Sequence, residues 1–205
     1  MAVAKSNGCN CVALSIDYGQ RHQYELQAAQ CVAEHLGVLE YKILAFDLTH
    51  FGGSALTDKT YSIPESEAAG IPITYVPARN TIFFSLALAW SEVIGAEYIY
   101  SGVNAVDNSG YPDCRPEYLT ALQDLVNLAT KKTVEGNAIL VKTPLIYLTK
   151  AEIISLGQEK GVDFSKTVSC YQITEDGRSC GICDACRLRI QAFKEAQIED
   201  RIKYV

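Results

Sequence analysis

Four short apolar runs, each separated from the next by a helix-periodic or polar segment, constrain this chain of 205 residues more than any other feature. Residues 11–16, 41–46, 97–101 and 139–143 carry this strand-like pattern. Between them, residues 24–36 repeat apolar side chains at helical spacing (Leu26, Ala29, Val32, Ala33, Leu36), and Gly37 follows the end. Residues 79–94 are apolar nearly all round and predict a buried helix ending at Gly95. Residues 117–133 predict another helix, and Thr149 with Glu152 has the spacing of a capping box that opens a further one. Residues 185–197 predict a closing helix. Strands alternating with helices give an α/β fold with a doubly wound, mostly parallel sheet. Ligands of such sheets bind beyond the carboxyl ends of the strands, where the loops starting at Asp17, Gly102 and Pro144 lie. Residues 49–74 are loop-like, and a connection that long is commonly functional or mobile.

Composition limits the function classes. Eighteen Lys and Arg against 24 Asp and Glu leave a net charge of −6, which disfavours general nucleic-acid binding. The longest apolar stretch, residues 82–90, is about half of what a bilayer span needs. The first eight residues lack the apolar centre of a signal peptide, so a cytoplasmic protein is expected. In that compartment eight cysteines are not a disulfide framework. Cys9, Cys11, Cys31 and Cys114 are scattered and read as small core residues.

Cys170, Cys180, Cys183 and Cys186 differ, with nine, two and two residues between them in a turn-rich segment. Four thiolates on short turns make a tetrahedral sulfur site whose default ion is zinc. An iron–sulfur cluster is the rival, but the Cys-Pro that ends the bacterial ferredoxin run is missing. Four protein ligands leave no open position, so the metal is expected to be structural.

Five features stand out together: Asp17-Tyr-Gly-Gln-Arg-His22, Val76-Pro-Ala-Arg-Asn80, Ser109-Gly-Tyr-Pro-Asp-Cys-Arg115, Thr143-Pro-Leu145 with Lys150, and the four cysteines. Together they resemble one family, the 7-cyano-7-deazaguanine synthases of queuosine biosynthesis, within the PP-loop pyrophosphatase superfamily. The resemblance covers almost the whole chain. It implies a Rossmann-like, adenine nucleotide alpha hydrolase-like fold. It also implies an ATP- and magnesium-dependent ligase that converts 7-carboxy-7-deazaguanine and ammonia to the 7-cyano product, as a homodimer. Residues 1–165 would form the nucleotide-binding α/β domain, and residues 166–205 the zinc segment with its closing helix.

The family carries a Ser-Gly-Gly-x-Asp-Ser loop after its first strand, whose backbone N–H groups cradle the ATP phosphates. These 205 residues do not contain that loop. Residues 1–8 look like the tail of the helix that follows it, so the first strand and loop are expected to be missing and activity impaired. Phe51-Gly-Gly-Ser54 is no substitute, since it lies where the family has ordinary loop. The alternatives are a loop-less, zinc-stabilised binding module and another PP-loop enzyme such as a transfer-RNA thiolase.

Candidate site residues follow from chemistry and resemblance together. Arg79 and Asn80 open an otherwise apolar helix, where a guanidinium is costly unless it is paired or reaches a cleft. They are assigned to catalysis with Lys150, a cation in a helix first turn that suits a shared anion. Asp113 and Arg115 sit in a polar loop at the ligand edge, and a carboxylate there suits the N–H donors of a guanine-like base. Tyr18, Gln20, Arg21 and His22 are placed near substrate or nucleotide by the resemblance. His35 and His50 read as surface residues.

Overall fold

The computed structural model describes residues 1–64, 70–106 and 111–205. In chain order its elements are α1 (Ala2–Ser6), β1 (Val12–Asp17), α2 (Tyr24–His35), β2 (Glu40–Ala45), α3 (Arg79–Val93) and β3 (Tyr98–Tyr100). Then come α4 (Pro116–Ala129), α5 (Lys131–Val134), β4 (Leu140–Lys142), α6 (Lys150–Glu159) and α7 (Asp184–Glu195). Short 3-10 turns occupy Thr49–Phe51, Pro112–Cys114 and Phe164–Lys166. The result is a mixed α/β chain with parallel strands, organised as two compact units. One unit holds Met1–Pro77 and Thr149–Val205; the other holds Ala78–Leu148.

In the first unit β1 and β2 pair in parallel, from Val12 opposite Glu40 to Asp17 opposite Ala45. The Tyr41 hydroxyl donates to Ser15 Oγ and to the Leu26 carbonyl, joining the strand pair to α2. Helix α2 buries Leu26 and Ala33, part of the apolar face read from the sequence. It closes on Gly37 at φ 65°, with Gly37 N–H bonded to Glu34 and Val38 N–H to Ala33. That is a Schellman end, whose left-handed residue is best served by glycine. The segment from Thr49 is not an open loop. Ala55, Leu56, Ile63 and Thr74 are all buried there, so it contributes to the unit's interior. Its residues 65–69 lie outside the described residues.

In the second unit β3 and β4 pair in parallel, Tyr98 opposite Leu140 and Tyr100 opposite Lys142. The core comprises Phe84 and Leu88 of α3, Ile99 of β3, Leu122 and Val126 of α4, and Ile139. Gln123 of α4 reaches the β4 edge, accepting from Val141 N–H and donating to the Ile139 carbonyl. A side-chain amide thus occupies backbone groups that an edge strand would leave open.

Two expectations need correction. Helix α3 buries only Asn80, Phe84, Leu88 and Ser91, one stripe at helical spacing, and Val93 is 82% exposed. An apolar composition all round therefore does not bury the helix all round. The helix expected over residues 117–133 breaks at Thr130, whose extended backbone starts α5 and whose hydroxyl accepts from Thr133 N–H. Of the scattered cysteines, Cys114 is buried, Cys9 and Cys11 are half-buried, and Cys31 is exposed because it lies off the buried face of α2. Among the described residues no helix is long and apolar enough to cross a membrane.

Candidate functional site

The first unit gathers the four cysteines. Cys170 and Cys180 lie on the loop before α7, Cys183 is its N-cap and Cys186 lies in its first turn. Their Sγ atoms all lie within 4.8 Å of one another. Zinc–sulfur bonds of about 2.3 Å put the edges of a tetrahedron at about 3.8 Å, and Cys180 and Cys186 Sγ are 3.9 Å apart. Backbone N–H groups of Gln172 and Cys180 both donate to Cys170 Sγ, and that of Cys183 donates to Cys180 Sγ. Such donors favour thiolates over thiols. Hydrogen bonds from Cys170 and Cys186 hold the Cys183 thiol well below its usual range. The same bonds, seen from the donors, push Cys186 up and Cys170 up to about 11. Cys170, Cys183 and Cys186 thus share hydrogen bonds, and the four-sulfur donor set could hold a metal ion.

The C-terminal tail secures this segment. Ser179 forms a parallel bridge with Tyr204, and Ser179 N–H donates to the Lys203 carbonyl. Arg189 of α7 donates from Nε and Nη2 to the Asp200 carboxylate, which also accepts from the Tyr204 hydroxyl. Arg189 is 8% exposed and also bonds Thr167 and the Phe164 carbonyl, so the charge is buried but fully engaged. Sequence reading missed Arg189. Its only signal was an Arg at buried spacing on the closing helix.

The turn after β1 lies in the same unit. Asp17 ends the strand, and Gly19 takes φ 81°. A Cβ on Gly19 would stand 2.5 Å from Thr49 Cγ2 and 2.8 Å from Asp47 Oδ1, so only glycine fits. Tyr18 is buried, and its carbonyl accepts from Leu48 N–H. Gln20 is 8% exposed, and its Oε1 accepts from Tyr18 N–H. The guanidinium of Arg21 donates to the carbonyls of Ala55, Asp58 and Tyr61, bracing the following loop. The Nε2 of His22 lies 2.9 Å from the Cys170 carbonyl. Gln20 Nε2, His22 Nδ1 and Thr57 Oγ1 are buried with no hydrogen-bond partner among the described residues. In the nearby Gly52-Gly53-Ser54 segment, Ser54 is fully buried, with Oγ accepting from Leu56 N–H. Lys150 opens α6, whose capping box is complete: Thr149 Oγ1 accepts from Glu152 N–H, and the Glu152 carboxylate accepts from Thr149 N–H.

The second unit assembles the other candidates. The Asn80 N–H donates to Asp113 Oδ2 at 2.9 Å, and its side-chain amide donates to the Asp113 carbonyl and Cys114 Sγ. Ala78, the N-cap of α3, is left-handed at φ 54°. The Arg79 guanidinium lies 5.9 Å from the Phe83 ring centroid. Arg115 donates from Nε to the Pro112 carbonyl. Residues 109 and 110 of the loop motif lie outside the described residues. Asn104, not singled out from sequence, is 5% exposed and donates to the carbonyls of Leu145 and Leu148. It ties the loop after β3 to the loop after β4.

A family model described as queuosine biosynthesis protein QueC matches residues 1–197. A protein of Saccharophagus degradans named 7-cyano-7-deazaguanine synthase is 57% identical over 204 residues, spanning 100% of this chain and 91% of its own length. One of the same name from Pseudomonas aeruginosa gives the same identity and coverage. A third, from Cellvibrio japonicus, is 54% identical over the same span.

Proposed function

The chain belongs to the queuosine biosynthesis protein QueC family, and from that premise we propose that it is a 7-cyano-7-deazaguanine synthase, an ATP-dependent carbon–nitrogen ligase. The observation that carries this reading is 57% identity to named synthases across the whole chain. It does not favour a transfer-RNA thiolase or a non-catalytic binding module.

The reaction sets clear physical demands. A carboxylate is a poor electrophile until one oxygen becomes part of a good leaving group. ATP supplies that group, ammonia displaces it to give an amide, and a second activation removes the amide oxygen to leave a nitrile. Positioned cations and N–H donors must neutralise the charge that develops on the departing phosphate. In this reading Arg79 and Lys150 serve that role, with Asn80 holding the start of α3. The Asp113 carboxylate and Arg115 face the guanine-like base. Tyr18, Gln20, Arg21 and His22 shape the turn that receives substrate or nucleotide. The α/β body, residues 1–165, carries the nucleotide, and residues 166–205 carry the metal.

The metal is zinc, held by Cys170, Cys180, Cys183 and Cys186. When bound it supplies a structural knot, because four protein ligands leave no position for substrate. The substrates are 7-carboxy-7-deazaguanine, ATP with magnesium, and ammonia. We place the protein in the cytoplasm, where thiols stay reduced, as a homodimer with neither a membrane nor a nucleic-acid partner. The 205 residues contain no Ser-Gly-Gly-x-Asp-Ser loop, so on their own they are expected to turn over poorly.

The test follows the oxygens. With both carboxylate oxygens of the substrate labelled with oxygen-18, each activation carries one label into the product released from ATP. Finding both labels there supports the two-step activation. A label released to water instead contradicts it.

A further inference from the structure

We propose that His22 is a positioning residue through which the four-cysteine cluster fixes the shape of the turn after β1. The proposal deepens the synthase reading and rests on it only for its activity arm.

The tautomer comes first. A carbonyl oxygen can only accept, so the His22 Nε2 that lies 2.9 Å from the Cys170 carbonyl carries the proton and donates it. In the neutral ring Nδ1 is then an acceptor only, and it is buried with no partner among the described residues. The partner carbonyl belongs to a residue with little freedom of its own. Cys170 is 2% exposed, its sulfur accepts from two backbone N–H groups, and it stands in the four-sulfur group. The bond spans 148 residues of sequence.

A second tie runs beside it. The Tyr24 hydroxyl donates to the Glu175 carbonyl at 2.8 Å, between Cys170 and Cys180. A Cβ built on Gly177 would lie 3.6 Å from the Tyr24 ring, so that ring rests on the same loop. The His22 and Tyr24 ring centroids lie 6.2 Å apart, with the ring planes tilted by 60°. Two aromatic residues at the start of α2 therefore grip the cysteine loop. The other side of the turn is held differently, by the Arg21 bonds to the 55–61 loop and the Gln20 bond to Tyr18. Gln20 Nε2 and His22 Nδ1 remain an unspent donor and an unspent acceptor two residues apart. The two N–H donors to its sulfur restrain Cys170, a metal bound by the four cysteines would restrain it further, and through His22 its carbonyl sets where this pair stands.

The experiment compares zinc-loaded wild type with His22→Phe, which keeps a ring but has no donor, and His22→Gln, whose amide can donate from near the Nε2 position. Zinc content, hydrogen exchange and the nitrogen-15 spectrum of the His22 ring are measured. The wild-type ring is expected as a single Nε2–H tautomer. In His22→Phe, zinc content and protection of α7 stay at wild-type level while amides of residues 17–26 exchange roughly three- to tenfold faster. His22→Gln recovers most of that protection, and nitrile formation, where wild type shows it, follows the same order. Unchanged exchange in His22→Phe, a mixture of tautomers, or zinc lost together with the donor would overturn the proposal. If wild type carrying an N-terminal Ser-Gly-Gly-x-Asp-Ser segment makes no nitrile, the synthase reading fails while the exchange data still decide this one.

Discussion

The backbone N–H of Asn80 donates to a carboxylate oxygen of Asp113 across 33 residues of sequence, so two motif segments that are far apart in the chain are one structural object. Asp113 is 5% exposed, and removing its acceptor leaves a buried N–H at the start of α3 unpaired. Asp113→Ala is expected to cost about 1–3 kcal/mol, read as a lower urea midpoint at constant slope. Asp113→Asn keeps an acceptor and is expected to cost less. If Asp113 also reads the donors of a guanine-like base, the Asn variant raises KM for that substrate well beyond what its small stability loss explains.

Gly19 has no room for a side chain. Its φ of 81° and the 2.5 Å approach of Thr49 Cγ2 to the Cβ position act together. Gly19→Ala is expected to displace the turn, lowering kcat/KM at least tenfold while zinc content stays unchanged. Wild-type kinetics in this variant would show that the turn is not part of the site.

Gly157 lies inside α6, where Ala would ordinarily gain about 1 kcal/mol. Here the added Cβ would stand 2.5 Å from Phe164 Cζ, on a ring that packs edge-on against Phe193. Overpacking of that kind costs about 1–3 kcal/mol, so the sign reverses. Gly157→Ala is expected to lower the melting temperature, and a rise would mean that the aromatic pair yields freely.

Asp200 gives a pH dependence of definite sign. Burial opposes its charge, but the hydrogen bonds from Arg189 and Tyr204 and the charge of Arg189 outweigh it, holding its carboxyl below the ordinary range. Because the folded value lies below the unfolded one, near 3.9, the stabilisation is present above about pH 4 and is lost as pH falls through the folded value. Asp200→Asn is expected to lower stability at neutral pH and to flatten the acid limb of the stability profile. An unchanged acid limb would remove Asp200 from this role.

Much of this was legible in the sequence, for physical reasons that differ by element. Short apolar runs and the helical period of residues 24–36 placed β1, α2, β2 and α3 to within a residue or two. The capping box at Thr149 and Glu152 is a local chemical signature and appears as read. The cysteine spacing pointed to four sulfurs brought together, and the fold does bring them within 4.8 Å of one another in a group that could hold a metal. What was not legible depended on contacts between distant segments. Nothing near Thr130 in the sequence demands the break between α4 and α5, which needs its hydroxyl to cap the next turn. The bond of His22 to Cys170, the buried charge of Arg189 and the tie made by Asn104 all need partners that only the fold supplies.

The measurement that tests the central claim most directly is a product assay by mass spectrometry with 7-carboxy-7-deazaguanine, ATP, magnesium and ammonium. The 205 residues are assayed beside the same chain carrying an N-terminal segment with the Ser-Gly-Gly-x-Asp-Ser loop. The account predicts the nitrile from the loop-bearing version and little or none from the 205 residues alone. A loop-bearing version that folds, holds zinc and consumes no ATP toward the nitrile would contradict the synthase assignment. Full turnover by the 205 residues alone would contradict the requirement for the phosphate loop.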